Sequence, residues 1–186
     1  TPPNSESKKV CLMGASAVGK TSLVRRFVYN RYDETYRTTI GGRMYEKSIT
    51  CDEKQVNLII RDLQGKDDPR SEYSDHYLKG AQGYMLVVDV TRPDTLDVAK
   101  GLLLTIIRHH KNDREQKEKA GAPPGALGKD DPPFVLLLNK QDILQSSEVA
   151  NRATEIFGDN AKIFETSAKT GEKVNEAFNY LARQTL

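Results

Sequence analysis

The 186-residue sequence has no tryptophan, only two cysteines and few aromatic residues, 7% in all. Both cysteines, Cys11 and Cys51, fall in segments with the pattern of strands, so we interpret them as small core residues rather than a disulfide or metal site. The formal net charge of +2 gives no indication of a nucleic-acid-binding surface. No apolar run has the length of a bilayer-spanning helix, and no signal-peptide pattern is present. We therefore expect one compact domain of ordinary composition.

One stretch fits the phosphate-binding pattern G-x-x-x-x-G-K-[ST] completely. It consists of Gly14, Ala15, Ser16, Ala17, Val18, Gly19, Lys20 and Thr21. The mainly apolar residues 9–13 precede it and apolar residues at helical spacing follow it, so the motif lies between a predicted strand and a predicted helix. In that position the backbone N–H groups face a phosphate chain, Lys20 reaches its outer phosphates and Thr21 holds magnesium. This context disfavours a chance match in a glycine-rich turn.

The remaining chain alternates predicted strands with predicted helices. The predicted strands span residues 9–13, 43–51, 54–61, 84–88, 134–138 and 161–165, and the later helices span 94–110, 147–157 and about 174–181. The turn signal Asp52-Glu53 joins two of the strands in a hairpin. This order predicts an α/β fold with a doubly wound, mainly parallel six-stranded sheet and one antiparallel edge hairpin.

The domain organisation follows from changes in composition along the chain. We expect a flexible N-terminus over residues 1–7 and a single domain over 8–186. Residues 111–133 combine charges of both signs with three glycines and four prolines, and they contain almost no apolar side chains. This composition is typical of a disordered loop, so we interpret the segment as an insertion.

Polar residues follow the predicted parallel strands, at the edge where α/β sheets bind ligands. Asp62 follows the strand that ends at Arg61, residues 139–142 follow the strand over 134–138, and residues 166–169 follow the last strand. Together with the phosphate loop, four strand ends contribute polar groups suited to one nucleotide.

These motifs, in this order, make the chain resemble the small GTPases of the Ras superfamily, with most similarity to the Rab branch. The resemblance extends from about Lys8 to the last helix. It rests on the phosphate loop, D-x-x-G at 62–65, N-K-x-D at 139–142 and S-A-K at 167–169. It implies a P-loop NTPase G domain that binds GTP or GDP with Mg²⁺ and switches between two states. N-K-x-D and S-A-K disfavour a phosphate-loop kinase.

The resemblance also implies a guanine pocket. The Asp142 carboxylate would accept hydrogen bonds from the guanine ring N–H and amine, and the Ala168 N–H would reach the guanine carbonyl. The other residues implied to line or brace the pocket are Tyr32, Asn139, Lys140, Ser167 and Lys169.

Two switch loops, residues 31–42 and 62–77, are implied to sense the third phosphate and to contact effector and regulator proteins. Thr39 and, through a water, Asp62 would join Thr21 as magnesium ligands, with Thr38 as a neighbouring alternative to Thr39. The Gly65 N–H would meet the γ-phosphate. The loops would be tethered when that phosphate is present and would relax when it leaves.

Three features of the sequence differ from the family pattern: Lys66, Ala17, and the residues around Asp62, where Arg61 and Leu63-Gln64 replace the common Trp-Asp-Thr-Ala pattern. Lys66 stands where a water-orienting glutamine is usual, and an ammonium has no acceptor for a water proton. Lys66 is therefore either a solvated loop residue or a source of positive charge, and no catalytic residue is assigned. Gln64 is near in sequence, but it precedes Gly65 and would point elsewhere. Ala17 stands where glycine is common and would be strained if its φ is positive.

These differences leave turnover open. We expect slow intrinsic hydrolysis of GTP, and the alternative is a pseudo-GTPase interaction module that binds nucleotide without turnover or not at all. A cytoplasmic location is expected, with peripheral attachment to the cytosolic face of a membrane only if a lipidated tail, common in such proteins, lies beyond this chain.

Residues 121–131 can be replaced by a short Gly-Ser linker with little effect, because they bury little apolar surface. Loop closure changes by only about 0.6 kcal/mol for each doubling of loop length. The melting temperature and the nucleotide affinity of the variant should stay close to those of the parent. A large loss of either would show that the segment packs on the core or on the site.

Overall fold

The computed structural model describes residues 5–35, 39–68, 73, 75–121, 132–159 and 161–186. The strands are β1 (Glu6–Gly14), β2 (Gly42–Cys51), β3 (Lys54–Leu63), β4 (Gly83–Asp89), β5 (Phe134–Asn139) and β6 (Lys162–Glu165). The helices are α1 (Lys20–Tyr29), α2 (Asp75–Leu78), α3 (Thr95–Lys119), α4 (Ser147–Phe157) and α5 (Val174–Gln184).

The strands form one six-stranded sheet in the order β2-β3-β1-β4-β5-β6. Only the edge pair β2–β3 is antiparallel, and it is joined at Asp52-Glu53, so the predicted mixed sheet and its hairpin are confirmed. Every residue of β4 is buried, as expected for a central parallel strand covered on both sides. The ends of β1, β3, β4, β5 and β6 lie along one edge, and the loops that follow them form the site.

The helices pack in two groups. α1 packs with α5, where the Phe27 ring stacks on Phe178 at 4.2 Å, and α3 packs on β1 and β4 and against α2 and α4. The apolar stripe predicted for α5 is buried, because Val174, Phe178 and Leu181 all face the core. None of the helices in the described ranges is both long and apolar enough to cross a membrane.

The helix α3 is longer than predicted. It continues to Lys119, whereas the sequence analysis ended it at residue 110 and began a disordered insertion at 111. Residues 111–119 are mostly good helix formers, and Lys117 pairs with Asp113 one turn away at 2.6 Å. Their mixed charges therefore belong to a solvated helix surface, so the prediction was wrong for this part. Residues 122–131 lie outside the described residues.

Two strands extend by two residues or more beyond a predicted limit. β1 begins at Glu6, where Glu6 and Ser7 pair with β3, so the predicted flexible terminus was too long by these two residues. β3 continues to Leu63, because its pairing with β2 extends to Gly42. Asp62 therefore lies within the strand rather than after it, and it is completely buried.

Candidate functional site

The phosphate loop connects β1 to α1, as the sequence predicts. Gly19 precedes α1 with φ 102°, and a Cβ at this position would lie 2.3 Å from the Asn139 side chain. Only glycine fits both the backbone conformation and the space. The loop lines one end of a cavity, and residues of both predicted switch loops, among them Thr39 and Gly65, line it as well.

Lys20 lies inside this cavity and is 6% exposed. Its ammonium donates hydrogen bonds to the carbonyls of Gly14, at 3.1 Å, and Ala15, at 2.7 Å. Burial lowers the pKa of Lys20 to about 8, although the nearby Asp62 carboxylate acts in the opposite direction. Phosphate oxygens beside the ammonium would favour its charged form, so this environment suits an anionic ligand.

Three oxygen-bearing side chains meet next to Lys20. The Thr21 and Thr39 hydroxyl oxygens are 2.9 Å apart, and the Thr21 hydroxyl donates to Oδ2 of Asp62. Oδ1 of Asp62 is buried with no hydrogen-bond partner in the described parts of the chain, and burial raises the pKa of this carboxyl against the effects of Thr21 and Lys20. A buried, unpaired carboxylate oxygen beside two hydroxyls fits Mg²⁺, which prefers oxygen ligands. Thr38, the alternative to Thr39, lies outside the described residues.

The predicted guanine-binding residues come together at the other end of the site. Six of the seven line a second cavity, to which Gly19, Ser22 and Ile143 also contribute. The six are Tyr32, Asn139, Lys140, Asp142, Ala168 and Lys169. The seventh, Ser167, donates from its hydroxyl to the Asp142 carboxylate at 2.6 Å and thereby orients it. Lys169 also pairs with Glu34 at 3.1 Å, which links this end to the first switch loop.

Asn139 connects the guanine end to the phosphate loop. Its Nδ2 donates to the Val18 carbonyl at 2.9 Å, while its Oδ1 accepts from the Thr166 hydroxyl at 3.2 Å and from the Ala168 N–H at 3.3 Å. In this structure the Ala168 N–H, which the sequence analysis assigned to guanine, is directed at Asn139. The amide therefore joins three segments that are far apart in the sequence.

The second switch loop packs directly on the phosphate loop. A Cβ at Gly65 would lie 2.5 Å from the Ser16 Cα, which excludes any larger residue there. The Lys66 N–H donates to the Gly14 carbonyl at 3.1 Å, but its ammonium lies 5.2 Å from the centre of the Tyr73 ring. This placement favours the interpretation of Lys66 as a residue without a catalytic part. Residues 69–72 and 74 lie outside the described residues.

Gln64 links the two switch loops to each other. Its side-chain oxygen accepts from the Gly41 N–H at 3.0 Å, and its own N–H donates to the Gly41 carbonyl at 2.8 Å. The side chain thus holds the first switch loop, and it also lines the cavity beside the phosphate loop. Residues 36–38 of the first loop lie outside the described residues.

The sequence analysis did not identify some residues of the site. Arg26 of α1 donates to the Ala168 carbonyl at 2.9 Å, and no local pattern marks it. Asp89 pairs with Lys140 at 2.7 Å, and Lys140 also donates to the Ala17 carbonyl at 2.9 Å. Asp89 ends β4, so the rule that placed the other polar groups at strand ends would have found it.

The chain is similar to known proteins over nearly all of its length. A family model described as the Ras family matches residues 9–186. The GTP-binding protein ypt5 of Schizosaccharomyces pombe is 32% identical over 182 residues, which cover 96% of this chain and 77% of that protein. Ras-related protein Rab-8B, from Homo sapiens and from Pongo abelii, is 32% identical over 180 residues, covering 96% of this chain and 78% of the relative.

Ala17 adopts φ 61°, which is the left-handed conformation that strains an alanine. Ala17→Gly should therefore increase the free energy of unfolding of the nucleotide-free protein by about 1 kcal/mol. The matched control is Ala15→Gly in the same loop, where the alanine is buried and its φ is not positive. That change should be destabilising. Urea unfolding distinguishes the two, and a loss of stability in both variants would contradict strain at Ala17.

Proposed function

The chain belongs to the Ras family and is a Rab-like, GTP-binding small GTPase. We propose that its loops 31–42 and 62–77 change conformation with the presence of the third phosphate and that partner proteins recognise this change. The supporting observation is that both loops contact the phosphate loop. Thr39 is hydrogen-bonded to Thr21, and Gly65 packs on Ser16. A change at the phosphates would thus alter both loops together. The proposed partners are effector and regulator proteins that contact these loops.

The proposed roles follow the placement of the side chains. Residues 14–21 and the Gly65 N–H bind the phosphates. Thr21, Thr39 and, through a water, Asp62 hold Mg²⁺, which when bound neutralises charge on the phosphates. We propose a cytoplasmic protein that is peripheral on the cytosolic face of a membrane where a lipidated tail is present.

Selectivity for guanine is proposed to depend on Asp142. Its carboxylate is already oriented by Ser167, and it lines the cavity next to Tyr32. Guanine presents a ring N–H and an amine to such a carboxylate, whereas adenine would leave it unpaired in a partly closed pocket. Buried polar groups left unpaired cost roughly 1–3 kcal/mol each.

ATP should therefore displace a fluorescent GDP analogue at least about 30-fold more weakly than GTP does, since two hydrogen bonds are lost. The measurement is competition at equilibrium with excess Mg²⁺. Lys20→Ala serves as the control, because it should weaken both nucleotides by removing a phosphate contact. Equal displacement by ATP and GTP would contradict the proposed role of Asp142, and no binding of either would favour the pseudo-GTPase alternative.

Slow turnover is proposed because no side chain in the described parts of the second loop is both free and placed to orient a water. Lys66 offers only donors and lies over Tyr73, and Gln64 is bonded to Gly41. Phosphoryl transfer depends on positioning the nucleophile and on neutralising charge. Lys20 supplies charge, so binding is retained while the chemical step is slow.

Lys66→Gln should raise the single-turnover rate of GTP hydrolysis by about tenfold, which corresponds to roughly 1.4 kcal/mol in the barrier. The matched control is Lys66→Ala, which removes the ammonium without adding an acceptor and should leave the rate unchanged. Preloaded GTP is followed without partner proteins. A wild-type rate equal to that of glutamine-bearing relatives, and unchanged in Lys66→Gln, would show that another group positions the water.

A further inference from the structure

The end of β4 holds a buried carboxylate with several donors around it. Asp89 is 1% exposed and accepts hydrogen bonds from Lys140 at 2.7 Å, Arg92 Nε at 3.2 Å and the Thr91 hydroxyl at 2.6 Å. Burial acts to raise its pKa, but the hydrogen bonds from Lys140 and Thr91 keep the pKa below the usual value. Asp89 is thus charged at neutral pH and fixes the two cations beside it.

Both cations reach from Asp89 to the phosphate loop. Arg92 donates from Nη2 to the Ser16 carbonyl, and Lys140 donates to the Ala17 carbonyl. Asn139 donates to the next carbonyl, that of Val18. Three successive carbonyls of the loop are therefore bound by side chains from the ends of β4 and β5.

This arrangement determines where the N–H groups of the loop point. In a trans peptide the C=O and the following N–H point in opposite directions. Binding the carbonyls of Ser16 and Ala17 on one side turns the N–H groups of Ala17 and Val18 to the other side. Ala17 would otherwise leave its strained φ of 61° more easily, because nothing in an alanine favours that conformation.

We propose that Arg92 is a positioning residue for phosphate binding. Held by Asp89, its guanidinium fixes the Ser16 carbonyl and so directs the Ala17 N–H towards the phosphates of a bound nucleotide. The two bonds use different nitrogens of one planar group, Nε towards Asp89 and Nη2 towards Ser16. This role rests on the proposed function, because the oriented N–H group serves a bound phosphate.

Arg92→Met tests the role by removing both bonds at nearly constant size. Release of a fluorescent GDP analogue, measured by chase with unlabelled GDP, should become about tenfold faster, as expected when a charged hydrogen bond is lost. The matched control is Arg152→Met, which breaks the arginine–carboxylate pair with Asp97 on the exposed side of α3. Its release rate should stay within about twofold of wild type.

Arg92→Lys separates positioning from a structural role. An ammonium can still donate to the Ser16 carbonyl, so this variant should release the analogue within about threefold of the wild-type rate. Release as fast as in Arg92→Met, or no change in Arg92→Met, would overturn the proposal. The melting temperatures of Arg92→Met and Arg152→Met should be similar.

Amide hydrogen exchange of the nucleotide-free proteins gives a second, independent measurement. A peptide covering residues 14–20 should exchange faster in Arg92→Met than in wild type and in Arg152→Met, because its carbonyls are less constrained. Unchanged exchange together with unchanged release would overturn the inference. If the proposed function were wrong, the wild type would retain no guanine nucleotide. Amide hydrogen exchange alone would then test the role of Arg92.

Discussion

The close approach of β1 to β4 at Gly14 determines where the phosphate loop leaves the sheet. Gly14 pairs with Val87, and a Cβ at Gly14 would lie 2.5 Å from the Val87 carbonyl oxygen. Any side chain would push the two strands apart and shift the start of the loop. The other contacts of the site depend on this position, because Lys20 and the Lys66 N–H both bind the Gly14 carbonyl.

The site contains ionic groups whose burial is unfavourable without a ligand. Burial disfavours the charged form of Lys20, and one oxygen of Asp62 has no partner among the residues that the structure describes. Such an arrangement weakens the free protein locally and is compensated when phosphate and metal bind. A ligand that binds only the folded state stabilises it by mass action, so nucleotide should raise the stability of this protein.

Binding and turnover depend on different parts of the structure. The guanine end and the phosphate loop are held by contacts from strand ends, such as those of Asn139 and Lys140, and retain the family motifs. The departures from the family that concern turnover lie in the second switch loop, where Lys66 lies over Tyr73 and Gln64 is bonded to Gly41. This division is the basis for proposing that nucleotide binding is retained while the chemical step is slow.

The sequence by itself determined the features that depend on neighbouring residues. The phosphate loop between β1 and α1, the hairpin at Asp52-Glu53 and the helix over Ser147–Phe157 all follow from patterns of consecutive residues. Local patterns failed where two interpretations share one composition, as in residues 111–119, whose mixed charges suit both a loop and a solvated helix. The tertiary structure decided the burial of Asp62, the link from Gln64 to Gly41 and the bridge from Asp89 through Arg92 to Ser16. These contacts join residues far apart in the chain, so they exist only after the strands have paired and the loops have met at one edge of the sheet.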